Sequence, residues 1–280
     1  MKAWPLRRLA GGLAVYLGAA LVFAFAVFPF LWMLTTSLKP NEEIFTRVPR
    51  LFPAHWSFEH YLAVFQRGGF ARYFANSAIV AVCTTLTSIA VGSLAAYALA
   101  RFRFPLRSLF LVLILSVQMF PLVVLIIPLF IIMRNLGLLD HYLGLILAYV
   151  TFTLPFGVWM LKGFFDSIPA SLEEAAMIDG CSRMGAFLRV ILPVAAPGVA
   201  ASSIYSFIGA WNEFMFAMTF INKEEMRTLP LALQAFFGQF TVEWGPVMAA
   251  SVVFTLPVLV FFLAVQKRLT TGLVKGAVKG

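Results

Sequence analysis

The sequence predicts an all-α integral membrane protein with six transmembrane helices. Three observations carry that prediction. Of 280 residues, 61% are hydrophobic and 12% charged, whereas soluble domains are nearer half apolar and a quarter charged. Thirty Phe in so short a chain suit surfaces that face lipid. Six stretches are long enough to cross the hydrocarbon core, which takes about 20 apolar residues. They are roughly 9–34, 74–99, 108–133, 143–165, 195–220 and 247–265. A membrane bundle is one unit whatever its length, so residues 1–280 read as a single transmembrane domain.

The first stretch follows Lys2, Arg7 and Arg8, like a signal peptide. Its apolar part is too long for a signal sequence and no small-residue cleavage site follows, so it reads as a retained span. The first, third and fifth stretches run long, which predicts tilt. Pro121 and Pro128 interrupt the third, Pro155 and Gly157 the fourth, and Pro257 the sixth. Each proline removes a backbone donor and tends to kink its helix. Several kinked spans together favour a protein that moves.

Charge sets the orientation. The net charge of +9 would suggest nucleic acid in a soluble protein, but here the basic residues flank apolar runs. With the N-terminus inside, the inner segments hold Lys2, Arg7, Arg8, Arg101, Arg103, Arg107, Lys162, Arg183, Arg189, Lys267, Arg268, Lys275 and Lys279. The outer segments hold the smaller set: Lys39, Arg47, Arg50, Arg67, Arg72, Arg134, Lys223 and Arg227. Both termini and the loop 166–194 are therefore expected on the cytoplasmic side.

That loop carries the strongest local signal. Ser171 followed by Glu174 has the spacing of a capping box, and Gly180 suits the residue that ends a helix. The result is a helix of about two turns. Leu172, Ala175, Ala176 and Ile178 are expected on an apolar side, and Glu173, Glu174 and Asp179 on a charged one. A second short helix is expected from Ser182 towards Ile191, before Pro193. Surface-lying helices are usually basic, and this one holds acids and no base between 172 and 179. A protein partner fits better than a membrane surface.

Here the sequence resembles a family. Glu174-Ala175-Ala176, then Gly180, then Val190-Ile191-Leu192-Pro193 resembles the EAA loop of ABC import permeases, with Val190 where the family more often has Ile. Phe30-Leu31-Trp32-Met33 with Thr36-Ser37-Leu38-Lys39 is similar to the end of the first span in sugar-import permeases. Ala95-Ala96-Tyr97-Ala98-Leu99-Ala100-Arg101-Phe102 is similar to the end of their second span, and Trp211-Asn212-Glu213-Phe214 to a fifth-span motif. The tail Gly272-Leu273 with Lys275 to Gly280 resembles that of the maltose-type second permease.

The resemblance implies the type I ABC importer permease fold in a bacterial or archaeal cytoplasmic (inner) membrane. It implies uptake of a sugar or sugar derivative by alternating access. The implied partners are a second permease subunit, two ATPase subunits and an extracytoplasmic solute-binding protein. Glu173, Glu174, Ala175, Ala176, Asp179, Gly180 and Pro193 are the implied ATPase-coupling residues, and segment 221–245 the implied contact for the binding protein.

Other chemistry is poorly supported. No G-x-x-x-x-G-K-[ST] phosphate loop occurs, so ATP and Mg are expected on partner subunits and no cofactor on this chain. Three scattered histidines (His55, His60, His141) and two distant cysteines (Cys83, Cys181) suggest neither a metal site nor a disulfide. No catalytic constellation points to an enzyme. The rival is a stand-alone secondary transporter. Such proteins usually place ionisable groups at mid-membrane, and the one acid within a span is Glu213, near its outer end. For a sugar pathway, Gln118, Tyr205, Trp211 and Asn212 are the candidate lining residues. Gln118 and Asn212 equally suit hydrogen bonds between helices.

Overall fold

A computed structural model describes residues 4–66, 68–238 and 241–277, with side chains over 12–66, 68–238 and 241–268. Lys2, Arg67, Lys279 and Gly280 lie outside the described residues, as do the side chains of Arg7, Arg8 and the tail from Gly272. Apart from a single turn over Asn41–Ile44, the helices are α1 (Trp4–Ser37), α2 (Glu59–Gln66), α3 (Phe70–Arg101), α4 (Arg107–Ser116, continued by a 3-10 turn to Met119), α5 (Leu122–Asn135) and α6 (Tyr142–Ser167). They continue as α7 (Ala170–Ile178), α8 (Arg183–Val194), α9 (Ala196–Trp211), α10 (Met215–Phe220), α11 (Leu229–Leu233) and α12 (Trp244–Ala277). Among the described residues the only β pairing is a single bridge between Phe237 and Val242.

Among the described residues four helices are individually long and apolar enough to cross a membrane: α1, α3, α6 and α12. Two bent pairs are further candidates, giving up to six spans if each pair counts as one. The pair α4 and α5 bends by 103°, and the pair α8 and α9 by 78°. The bent pairs fall in the third and fifth stretches, two of those that run long. At the first bend Phe120 and Pro121 are both extended, with ψ of 131° and 129°. Proline pushes the residue before it out of the helical region, so two successive residues leave the helix together. Pro155 and Pro257, in contrast, lie inside helices that run past them.

The fifth stretch is helical from Arg183, well before 195. Pro193 does not end α8, as the sequence suggested, because a π turn over Phe187–Ile191 precedes it and the Leu192 N–H donates to the Phe187 carbonyl. The wider turn accommodates the proline, which has no N–H to donate. Pro197 then sits in the first turn of α9, where a missing donor costs nothing. The helix stops at Trp211 rather than running to 220. The Glu213 carboxylate accepts from the Phe216 N–H at 2.8 Å and the Ala217 N–H at 3.2 Å, which starts α10 as a separate helix.

The chain divides into two compact units. One comprises Met1–Gly68 and Ala235–Phe254, the other Gly69–Gln234 and Thr255–Gly280. In the first unit, the end of α1 is tied down by polar contacts. Lys39 donates to the Arg50 carbonyl at 2.6 Å beneath the Trp32 ring. Burial lowers its pKa, and Glu43 opposes that shift. His60 lies buried in α2, with Nε2 2.8 Å from the Lys39 carbonyl. A Cβ at Gly245 would stand 2.2 Å from its ring.

The second unit is built on α3, α6 and α9. Small residues let these helices approach closely, as is usual where packing rather than hydrophobicity drives association. A Cβ on Gly157 would come 2.9 Å from Ser202 Oγ, and one on Gly198 would come 2.5 Å from the Phe164 ring. Ser88 and Thr153 hydroxyls share a buried hydrogen bond at 2.8 Å between α3 and α6.

Candidate functional site

The chain between α6 and α9 forms a short helical arm, and its geometry follows from its two ends. Only Ile168 and Pro169 separate α6 from α7. That leaves no room for Ser171 to stand outside the helix, so the expected capping box does not form. Pro169 occupies the N-cap position with no side-chain cap, and Ser171 lies within the first turn. The other end is as the sequence suggests. Gly180 has φ +91°, its N–H donates to the Met177 carbonyl at 3.1 Å, and the Cys181 N–H donates to the Ala176 carbonyl at 3.0 Å. This paired arrangement is a Schellman motif, which favours glycine at the left-handed position. Ser182 then caps α8, its hydroxyl accepting from the Gly185 N–H at 3.2 Å.

The two faces of α7 are not those the apolar pattern suggested. Glu173 and Ala176 are the buried pair, whereas Leu172, Ala175 and Ile178 are exposed, Ile178 at 86%. Glu173 turns inward because α3 offers it partners. Arg101 Nε donates to Glu173 Oε2 at 3.0 Å, and Tyr97 OH donates to Glu173 Oε1. Arg101 also donates through NH2 to the Ile168 carbonyl at 2.9 Å. Below these groups lies an apolar cluster that includes Tyr97, Leu99, Leu161, Phe165, Phe187 and Ile191. The outward face presents Ala175 and Ile178, flanked by Glu174 and Asp179. Pro193 lies on α8, inside its last turn.

Tyr97 and Arg101 enter the sequence analysis as part of a second-span motif and not as partners of the arm. Their spacing puts both on one face of α3, which was the available signal. An Arg at the end of an apolar run reads first as an orientation signal.

The candidate pathway residues separate. Trp211 is buried, its ring stacked on Phe207 and edge-on to Phe74, so it packs within the bundle. Asn212 is exposed where α9 ends. Gln118 donates to the Phe152 carbonyl at 2.7 Å and lies beside the Tyr205 hydroxyl. The Tyr205 ring is 4.3 Å from that of Phe156. Gln118 and Tyr205 therefore meet beside α6, at the bend of the α4–α5 pair.

The opposite end of the second unit holds an ordered segment. Asn76 donates to the Glu225 and Arg227 carbonyls at 2.9 and 2.8 Å and accepts from Tyr142 OH at 2.7 Å. Ser77 Oγ accepts from the Leu229 N–H at 2.8 Å. Asp140 accepts through Oδ1 from the N–H groups of Asn222 and Lys223. Burial opposes its ionisation, but those N–H groups outweigh burial and hold its pKa below the usual carboxylate value. Among the described residues no three His, Cys, Asp or Glu side chains converge on a metal-sized site.

The family described as binding-protein-dependent transport system inner membrane component matches residues 88–275, a stretch that contains the whole helical arm. The chain belongs to this family. The permease is 40% identical to the diacetylchitobiose uptake system permease protein DasC of Streptomyces coelicolor, over 94% of this chain and 95% of that one. It is 41% identical to the sulfoquinovosyl glycerol transport system permease protein SmoH of Agrobacterium fabrum, over 95% and 93%. It is 38% identical to the trehalose/maltose transport system permease protein MalG of Thermococcus litoralis, over 94% and 95%. In three dimensions it is similar to a chain of a bacterial ABC transporter that imports the acidic polysaccharide alginate. The TM-score is 0.79 at 27% identity, covering 93% of this chain and 96% of the other. The permease has the type I ABC importer fold.

Proposed function

We propose that this permease forms half of the pathway of an ABC importer for a carbohydrate or sugar derivative. A second permease subunit forms the other half, an extracytoplasmic binding protein delivers the substrate, and two ATPase subunits supply the energy. ATP and Mg bind those partner subunits. The sugar assignment draws on relatives whose names specify diacetylchitobiose, trehalose or maltose, and sulfoquinovosyl glycerol. Family membership leaves no role for the stand-alone secondary transporter.

The observation that carries the mechanism is the outward face of α7. Ala175 and Ile178 stand exposed between Glu174 and Asp179, on a helix closed by a Schellman turn. A small apolar centre with an acidic rim fits a groove on an ATPase with apolar walls and basic edges. Closure of the ATPase pair would push this helix, and the bundle would swing between outward-open and inward-open states. Loop 166–194 and both termini then lie in the cytoplasm, and the segment pinned by Asn76, Ser77 and Asp140 lies outside, where the binding protein docks.

Two measurements test this reading. Substrate-dependent stimulation of ATP hydrolysis by the reconstituted complex, over a panel of oligosaccharides, should single out one sugar class. A complex that no sugar stimulates would count against carbohydrate import. A cysteine at position 182, in a background without native cysteines, should resist an impermeant reagent in intact cells. Labelling from outside would reverse the orientation.

A further inference from the structure

The inward face of α7 has a job separate from docking. A helix of nine residues has little stability alone. Its buried apolar side chain is that of Ala176, too small to fix the helix's rotation about its own axis. The contact that fixes it is polar. Both oxygens of Glu173 are engaged by α3, one by Tyr97 OH and the other by Arg101 Nε at 3.0 Å. The same guanidinium reaches the Ile168 carbonyl at 2.9 Å, at the end of α6. Tyr97 is itself packed between Phe187 of α8 and Phe165 of α6, with ring centroids 4.6 and 6.3 Å away. Three residues thus join the ends of α3 and α6 to the arm.

The charge pair is nearly dry, with Glu173 6% and Arg101 12% exposed at the side chain. As a source of stability such a pair is poor, because desolvation offsets most of its attraction. What it supplies is direction. A guanidinium with two fixed acceptors permits one orientation of its partner, whereas an apolar contact in its place would let the helix roll.

We propose that Glu173, Arg101 and Tyr97 form a clasp that makes α7 one rigid piece with the ends of α3 and α6, and that this clasp sets how much ATPase movement reaches the spans. Glu173 is a positioning residue and does not dock. The proposal rests on the docking role of α7, so its test has separate arms for the two.

In proteoliposomes holding the full complex, Glu173→Gln and Arg101→Lys are made on the clasp, and Ile178→Lys and Gly180→Val on the docking side. The readouts are ATPase subunits retained on the purified permease and substrate molecules moved per ATP hydrolysed. The clasp variants should retain the ATPases while the transport ratio falls at least about fivefold, the lower end of ordinary coupling energies. A general loss of folded complex would lower transport and hydrolysis together and leave the ratio unchanged. The docking variants should lose the ATPases.

If the clasp variants keep the wild-type ratio, or lose ATPases in proportion to transport, the clasp is overturned and docking stands. If the docking variants retain the ATPases and transport normally, the docking reading itself fails. A second measurement covers variants that do not assemble. Spin labels at Ala170 and Leu94, both exposed, report the distance between α7 and α3 in the complex without native cysteines. That distance should be the same with and without ATP. A nucleotide-dependent change would overturn the rigid clasp.

Discussion

The Gln118 side-chain amide donates to the main-chain carbonyl of Phe152 at 2.7 Å, joining the bend of the α4–α5 pair to the middle of α6. A hydrogen bond of this type between membrane helices contributes about 1 kcal/mol. Gln118→Leu should remove it and lower the unfolding free energy of the solubilised permease by that amount. Reversible unfolding in a detergent titration checks this, with Gln118→Met as the variant that keeps the length of the side chain and loses the donor. Equal stability of wild type and Gln118→Leu would mean that the bond contributes nothing.

Gly180 stands at φ +91° with open space where a Cβ would go. The penalty for substitution is therefore backbone strain and not collision. A residue with a Cβ in the left-handed region costs roughly 1–2 kcal/mol, and Asn least of all. Gly180→Asn should retain more ATPase on the purified permease than Gly180→Ala, and Gly180→Val should retain least. Equal retention by all three would show that the turn does not need its left-handed residue.

The two neighbouring alanines of α7 should behave differently. Ala176 is buried and Ala175 exposed. Ala176→Leu overpacks the interior, at about 1–3 kcal/mol, and should lower the melting temperature of the isolated permease. Ala175→Leu should leave that temperature alone and weaken ATPase binding. Thermal unfolding without partners, set beside co-purification with them, separates the two effects.

Asp140 gives a pH dependence with a definite sign. It lies at φ +57° and its pKa is held down in the folded chain. A depressed carboxylate stabilises the fold above its unfolded pKa, about 3.9. That contribution is lost as pH falls through the lower folded value. Asp140→Asn tolerates the same backbone, so it isolates the charge. The stability gap between wild type and Asp140→Asn should be present at pH 7 and shrink below about pH 4. A gap that persists at the lowest pH would mean the charge is not its source.

How much of this was legible in the sequence depends on the range of the interaction. The six apolar stretches are visible because lipid imposes one requirement on every residue in a span. Gly180 is visible because a left-handed turn is a local demand. The inward face of α7 is not, because the partner of Glu173 is 72 residues away and the local pattern held stronger apolar candidates in Leu172 and Ile178. Ser171 and Glu174 had the spacing of a cap, but α6 runs to Ser167 and uses the room that cap needs. The burial of Trp211 was not legible in the sequence either. Phe74, which meets it across the bundle, is far away in the chain. Pro121 announced a kink but not its size, which depends on Phe120 leaving the helix with it.

The bend at Pro121 also bears on how the chain is made. The fourteen residues of α5 rise about 21 Å, short of the roughly 30 Å hydrocarbon layer. Neither half of the bent pair crosses the bilayer alone, and the open main chain at the bend cannot rest against acyl tails. The helix that accepts from Gln118 at the bend is α6, which leaves the ribosome afterwards. The hydrogen bond at the bend can therefore form only after residues 142–167 are made, and the order of synthesis becomes part of the folding route.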